Sequence, residues 1–140
     1  MLDLGYVTAI QASHSFEEVI SFASTHGFKC LEVMCWPKGK AERRYAGVTH
    51  IDVATLDDTQ VTYLKDLQEE KGVYISGLGY YPNPLEGGEK TDVYVQHIKD
   101  VITAAAKLGV PVVNTFIGRE PSQPMDWNIG QFKEVWPEII

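Results

Sequence analysis

The sequence lacks long hydrophobic runs, a surplus of basic residues and a set of cysteines. No apolar stretch reaches the roughly eighteen residues that cross a membrane. The N-terminus, which includes Asp3, does not have the basic start of a signal peptide. These features predict a cytoplasmic protein. The two cysteines, Cys30 and Cys35, lie in one short apolar run. On a strand they would face opposite sides of the sheet and could not form a disulfide.

Basic residues are scarce, with 12 Lys and Arg against 19 Asp and Glu, so the formal net charge is −7. A protein that binds nucleic acid needs a surplus of positive charge to displace counterions from phosphates. The sequence therefore predicts no nucleic-acid partner. The one basic cluster comprises Lys38, Lys40, Arg43 and Arg44, with Glu42 inside it. We interpret it as a solvated loop, with a phosphate site as the alternative.

Several catalytic motifs are also absent. Val-Thr-Ala-Ile-Gln-Ala stands after the first predicted strand, where a dinucleotide-binding fold would carry Gly-x-Gly-x-x-Gly. The sequence contains neither a Walker-type phosphate loop nor the Gly-x-Ser-x-Gly of a nucleophile elbow. The four histidines are scattered, without the His-x-x-x-His or Cys-x-x-Cys spacing that indicates a metal site. No metal ligand is therefore predicted in this chain.

The sequence does contain four stretches with the apolar spacing of helices. The first is predicted to begin at a capping box formed by Ser15 and Glu18, and to end at Gly27. The later helices are predicted to run from Asp57 or Asp58 to Gly72, from Thr91 or Asp92 to Gly109, and from near Asp126 or Asn128 to Ile140, with a kink at Pro137.

Near-continuous apolar strands precede these helices, at residues 4–10, 28–35, 73–78 and 110–117. Alternating strands and helices of this kind predict an α/β fold with a parallel sheet. The pattern leaves open whether the sheet closes into a barrel or stays open as in flavodoxin. Links from strand to helix are long and carry most of the Trp, Tyr, Asn and Pro. Because ligands of such folds bind at the carboxyl ends of the strands, we expect the functional residues there.

Two polar residues interrupt the apolar strands. Glu32 lies within Cys-Leu-Glu-Val-Met-Cys, where a carboxylate must be paired or hydrogen-bonded. It could accept a substrate hydroxyl or support a metal ligand; an interior salt bridge or a hydrogen bond at the sheet end is the structural alternative. Asn114 lies within Val-Val-Asn-Thr-Phe-Ile. Its amide can donate and accept, which suits polyol hydroxyls, and packing or capping of the strand is the alternative.

The loops add further candidates. Proline on both sides of Asn83 makes the Tyr80-Tyr-Pro-Asn-Pro segment stiff, and its aromatic and amide groups suit sugar recognition. A simple turn with core aromatics is the alternative. Trp36, followed by proline, ends the second strand in the same way. Arg119 follows Gly118 and could bind a phosphate or carboxylate, with an ion pair to Glu120 as the alternative.

Four segments together resemble the xylose isomerase-like TIM barrel family of the AP endonuclease family 2 superfamily, which includes sugar phosphate isomerases and epimerases. They are residues 27–34 (Gly-Phe-Lys-Cys-Leu-Glu-Val-Met), 75–85 (Ile-Ser-Gly-Leu-Gly-Tyr-Tyr-Pro-Asn-Pro-Leu), 107–118 (Lys-Leu-Gly-Val-Pro-Val-Val-Asn-Thr-Phe-Ile-Gly) and 132–140, which looks like the family's fourth helix. The resemblance implies that residues 1–140 are the N-terminal half of such a domain. They would form the first four β/α units of an incomplete (β/α)8 barrel.

The resemblance also implies a function: the chain is expected to be the N-terminal fragment of a metal-dependent sugar or sugar-phosphate isomerase or epimerase, inactive alone. The divalent metal (Mn, Mg, Co or Zn) would be held by later strands of the parent protein. The substrate wall implied by the resemblance comprises Glu32, Trp36, Tyr80, Asn114 and Phe116, and the loop residues Asn83 and Arg119 complete the expected set of substrate-binding residues. Alternatives are a polyol dehydratase on the same barrel, or a non-catalytic binding or assembly fragment that self-associates or pairs with a complementary half-barrel. An endonuclease-IV-like zinc site is disfavoured because Gly79-Tyr80 stands where a histidine would be wanted.

Overall fold

The computed structural model describes residues 2–39 and 46–140. Lys40, Arg43 and Arg44 of the basic cluster therefore lie outside the described residues. Lys38 is described, and its ammonium group lies 3.0 Å from a carboxylate oxygen of Asp52.

In these two ranges, four parallel strands form one sheet and each strand is followed by a helix. The strands are β1 (Gly5–Val7), β2 (Cys30–Met34), β3 (Tyr74–Gly79) and β4 (Val113–Asn114); the helices are α1 (Phe16–Thr25), α2 (Asp58–Lys71), α3 (Glu89–Leu108) and α4 (Met125–Val135). Short 3₁₀ turns, Thr8–Gln11 and Trp136–Glu138, follow β1 and α4. The strands lie in chain order, β1-β2-β3-β4. A flavodoxin-like sheet would have its second strand outside the first, so that alternative is wrong.

Local capping chemistry sets the starts of α1 and α2, as the sequence predicts. Ser15 Oγ accepts from the Glu18 amide at 3.2 Å, while the Glu18 carboxylate accepts from the Ser15 amide at 2.8 Å. Asp57 and Gln60 form the same reciprocal pair ahead of α2. Both capping predictions are confirmed, and Asp57 rather than Asp58 is the cap.

The starts of α3 and α4 differ from the prediction. Helix α3 begins at Glu89 after Gly88, because the Thr91 hydroxyl donates to the Pro84 carbonyl and accepts from the Gly87 amide instead of capping. Helix α4 begins at Met125 and ends at Val135. The following Pro137 has no amide hydrogen to continue the helix, and the chain turns into a 3₁₀ segment rather than running helically to residue 140.

The outer strands are shorter than predicted. Strand β1 ends at Val7 because the Thr8 hydroxyl, not a strand carbonyl, accepts from the Met34 amide at 3.0 Å, and the chain turns there. Strand β4 covers only Val113–Asn114. It has β3 as its one partner among the described residues, and Pro111 on its N-terminal side has no amide hydrogen to donate.

The hydrophobic core lies between the sheet and the helices. Alternate residues of β2 and β3, such as Leu31, Val33 and Leu78, point into it and are fully buried. Cys35 is buried in the same core, and burial raises the pKa of its thiol far above the ordinary value. Cys30 is partly exposed, and both thiols are free. None of the described helices combines the length and hydrophobicity needed to span a bilayer.

Candidate functional site

The sheet has a second face, which the helices do not cover and which we call the open face. Because side chains alternate along a strand, Glu32 of β2 points away from the helices, between Leu31 and Val33, which point toward them. On β4, Val113 joins the core and Asn114 points to the open face. The two polar interruptions predicted from the sequence therefore lie on the same side of the sheet.

Glu32 is held by a residue that sequence reasoning missed. The hydroxyl of Tyr81 donates a hydrogen bond to Glu32 Oε1. Burial, together with the hydrogen bond to Glu32 and its charge, raises the pKa of Tyr81 well above the ordinary value, so this hydroxyl stays protonated and donates. In the described part of the chain the other carboxylate oxygen has no hydrogen-bond partner and Glu32 makes no salt bridge. It can accept from a ligand.

Two glycines of β3 form a floor without side chains between Glu32 and Asn114. Gly77 pairs with Glu32, and Gly79 pairs with Asn114. A Cβ atom on Gly79 would lie 2.8 Å from Glu32 Oε1 and 3.1 Å from a ring carbon of Tyr81. A Cβ atom on Gly77 would lie 3.0 Å from Asn114 Nδ2. Both polar side chains thus lean over β3, and only glycine leaves them that space.

An aromatic pair continues this surface toward β4. Phe116 is 53% exposed, and its ring centroid lies 5.0 Å from that of Tyr81. The side-chain amide of Asn114 makes no hydrogen bond to any residue in the described ranges, so its donor and acceptor are available. The open face therefore carries a carboxylate, an amide, the partly buried ring of Tyr81 and the exposed ring of Phe116 at the carboxyl ends of three neighbouring strands.

Tyr80 lies on the opposite face from its expected position. Its side chain is 1% exposed and belongs to the core between sheet and helices. It contacts the rings of Trp36 and His97 at centroid distances of 5.0 and 4.6 Å. Residues 78 and 80 point to the same face of the strand, and residue 81 points to the opposite face. An apolar Leu78 directed into the core therefore indicates that Tyr81, not Tyr80, lies on the open face. Trp36 is half-buried against Tyr80 and is a packing residue in this arrangement.

Asn83 and Arg119 are in contact beside Phe116, in the loops that follow β3 and β4. The Asn83 amide donates to the Arg119 carbonyl and accepts from the Arg119 backbone amide, both at 2.8 Å. Both ends of the Asn83 side chain are thus engaged with the backbone of the segment after β4. A cavity of about 400 Å³ lies beside this clamp, lined by Pro82, Asn83, Phe116, Ile117, Gly118 and Arg119.

A second cavity, of about 350 Å³, lies beside the N-termini of α1 and α2. Its charged groups already have partners: Lys38 pairs with Asp52, and Tyr63 donates to Glu17 at 3.1 Å. Its His50 hydrogen-bonds Thr8 Oγ1 at 2.9 Å, and burial lowers the pKa of this imidazole. These groups hold the segment between β2 and α2 against the 3₁₀ turn, so we assign the cavity a structural role.

The described residues do not form a metal site. Within residues 2–39 and 46–140, no three His, Cys, Asp or Glu side chains come together in a way that could hold an ion. Glu32 has a tyrosine beside it rather than a second carboxylate or a histidine. A divalent metal therefore does not fit this part of the protein, and we assign no chemical step to one here.

Comparisons with known proteins agree with the fold. The family model described as xylose isomerase-like TIM barrel matches residues 20–140. The probable 3-DHS dehydratase AsbF involved in petrobactin synthesis from Bacillus anthracis is similar in structure, with a TM-score of 0.69 and 13% identity. D-psicose 3-epimerase from Clostridium cellulolyticum H10, solved with D-tagatose, gives a TM-score of 0.66 and 14% identity. In each case 99% of this chain is covered, and it spans 47% of the other protein's length. No curated protein matches the chain. The fold prediction, the first half of a TIM barrel, is confirmed.

Proposed function

This chain belongs to the xylose isomerase-like TIM barrel family, and from that premise we propose that its open face binds a small sugar or polyol for an isomerase or epimerase. One observation carries the proposal. Glu32 lies at the carboxyl ends of the strands, with one oxygen held by Tyr81 and the other free of partners among the described residues. Substrates of β/α barrels bind at that end of the sheet.

The groups on the open face complement a polyol. The free oxygen of Glu32 accepts a hydrogen bond from one hydroxyl of the polyol. The Asn114 amide both donates to and accepts from the adjacent hydroxyls of the polyol. The rings of Tyr81 and Phe116 present an apolar surface to the C–H groups of the same molecule. The glycine floor lets the carbon chain approach the backbone of β3.

The role proposed for these residues is orientation. Proton transfer between neighbouring carbons requires the reacting groups to be held near hydrogen-bond distance, and fixed hydroxyl positions supply that geometry. The Tyr81 hydrogen bond fixes the Glu32 carboxylate before substrate arrives. The divalent metal that the family resemblance implies would have its ligands elsewhere in the whole protein. We therefore expect the 140-residue chain to bind without turnover.

Binding is tested by titrating the chain with D-fructose and with xylitol while backbone amide shifts are followed by NMR. We expect shifts at Gly77, Gly79 and Asn114. Glu32→Gln should weaken binding by about tenfold, because it removes a charged hydrogen-bond acceptor. Glu69→Gln, an exposed position on α2, is the matched control. Unchanged affinity in Glu32→Gln would mean that the open face does not bind polyols in this way.

Turnover by the whole protein separates the proposed reaction from its rivals. Isomerisation or epimerisation leaves the mass of the substrate unchanged, whereas a polyol dehydratase removes one water molecule. Mass spectrometry of the products distinguishes the two. Binding without any turnover in the whole protein would favour a non-catalytic role.

Association is proposed as well. In the described ranges the outer edges of β1 and β4 have no strand partner, and such edges pair readily with another chain. A second copy or a complementary half-barrel would satisfy them. Sedimentation of the isolated chain tests this, since a monomer at all concentrations would contradict self-association.

A further inference from the structure

The segment that follows β4 is held in place by three side chains from other parts of the fold. Trp136 Nε1 donates to the Ile117 carbonyl at 3.0 Å, and Asn83 holds both backbone groups of Arg119. The buried Asn128 accepts from the Glu120 amide at 2.7 Å and donates to the Glu120 carbonyl at 3.1 Å. The backbone around Arg119 is therefore held by hydrogen bonds from three side chains.

Gly118 makes this close packing feasible. Its φ is +93°, a backbone conformation that residues other than glycine rarely adopt. A Cβ atom there would lie 2.6 Å from Asn83 Oδ1 and 3.0 Å from the Leu85 amide nitrogen. A glycine, two asparagines and Trp136 thus set the backbone position of one exposed arginine.

The Arg119 guanidinium has no partner within residues 2–39 and 46–140. The neighbouring Glu120, which could have neutralised it, instead accepts from the backbone amide of Ser122 at 3.0 Å. Arg119 lines the cavity of about 400 Å³, whose apolar side is formed by Phe116 and Ile117, which are 53% and 60% exposed. A cation with a fixed backbone beside an apolar wall is suited to an anion carried on a small organic molecule.

We infer that Arg119 binds an anionic group, a carboxylate or a phosphate, at the end of the substrate farther from Glu32. This inference rests on the proposed function, since the two sites are parts of one surface. Glu32 accepts a hydrogen bond from Tyr81, and the ring of Tyr81 contacts Phe116. Phe116 and Arg119 in turn line the same cavity of about 400 Å³. The substrate class is then a polyol with one acidic end, such as a sugar acid or a sugar phosphate.

Three ligands with the same six-carbon polyol chain test the inference: D-sorbitol, D-gluconate and D-sorbitol 6-phosphate. Their affinities for the full chain are measured by NMR titration at about 50 mM salt. We expect the two anions, or one of them, to bind about three- to tenfold more tightly than sorbitol. Gluconate alone would indicate a sugar acid, and the phosphate alone a sugar phosphate. The preference should shrink at about 500 mM salt, where exposed charges are screened.

Arg119→Gln should abolish the anion preference, so that the two anions bind no more tightly than sorbitol. Lys65→Gln, which removes one exposed positive charge from α2, should keep the preference and so excludes an effect of net charge. Anions that bind no better than sorbitol, or a preference that survives in Arg119→Gln, would overturn the inference. Amide spectra that superpose outside the cavity establish that the variant is folded.

Glu32→Gln separates this inference from the proposed function. If it weakens all three ligands while Arg119→Gln changes none, the inference fails and the proposed function stands. If Arg119→Gln removes the anion preference while Glu32→Gln has no effect on any ligand, the proposed function fails and the anion site stands.

Discussion

Replacing Gly79 with alanine perturbs the floor of the open face. The added methyl would lie 2.8 Å from Glu32 Oε1 and closer still to the Met34 methyl. Carbon and oxygen normally approach to about 3.3–3.6 Å, so the carboxylate must retreat by roughly 0.5 Å or more. Met34 is buried against Ala9 and Val48 and has little room to move.

The expected loss of stability follows from this crowding. Forcing an extra methyl into a packed site costs about 1–3 kcal/mol. At roughly 4 °C per kcal/mol for a chain of this size, the melting temperature should fall by about 4–12 °C. Because Glu32 is displaced from Tyr81, polyol binding should weaken together with stability. Urea denaturation followed by circular dichroism measures the free energy of unfolding, and NMR titration measures the affinity for the polyol.

Gly77→Ala is the matched control on the same strand and the same face. Its methyl would meet only Asn114 Nδ2 at 3.0 Å, with the next contact at 3.5 Å. Both variants lose the same backbone freedom in the unfolded chain, so the difference between their urea midpoints reports the crowding. Equal midpoints for Gly77→Ala and Gly79→Ala would refute the geometry of the floor.

Two further predictions concern the scaffold. Burial lowers the pKa of His50, whose ring is hydrogen-bonded to Thr8. Below about pH 6.5 the unfolded chain binds more protons than the folded chain at this residue. The contribution of His50 to stability is therefore complete above about pH 6.5 and declines as the pH falls below it. His50→Gln should reduce the change of the urea midpoint with pH between about pH 7.5 and pH 5.5. A pH dependence equal to that of the unsubstituted chain would contradict this assignment. Asp57→Ala should cost about 1 kcal/mol through loss of the capping box. Asp58→Ala, whose side chain does not cap, should cost clearly less in the same urea assay, and equal losses would argue against the cap.

The parts of the fold that depend on neighbouring residues could be predicted from the sequence. The capping boxes at Ser15 and Asp57 need only residues three positions apart. Gly72 and Gly109 end their helices in the left-handed conformation for an equally local reason. The start of α3 depends on a hydrogen bond from Thr91 to the loop before it. That contact is a property of the folded chain and has no signature in helix periodicity.

The site was predictable to the extent that polar residues interrupt apolar strands. Glu32 and Asn114 were identified in this way, because burial makes such residues need partners. Alternation from Leu78 assigns Tyr81 rather than Tyr80 to the open face, but its position beside Glu32 depends on the register between β2 and β3, which the local sequence does not indicate. The Asn83 clamp on Arg119 joins residues 36 positions apart, and nothing in the local sequence indicates it.

Strand β3 shows how stability and the open face are linked. Glycine inside a strand is unfavourable by about 0.5–1 kcal/mol relative to alanine, and β3 has two on the same face. Its other face carries Ile75, Leu78 and Tyr80, all buried in the core, and their burial offsets that cost. Strand β3 keeps two unfavourable glycines where a carboxylate and an amide lean across it. Departures of this kind from local sequence preferences concentrate at functional sites. The glycines, more than the charge of Glu32 alone, therefore support the proposal that this face binds a ligand.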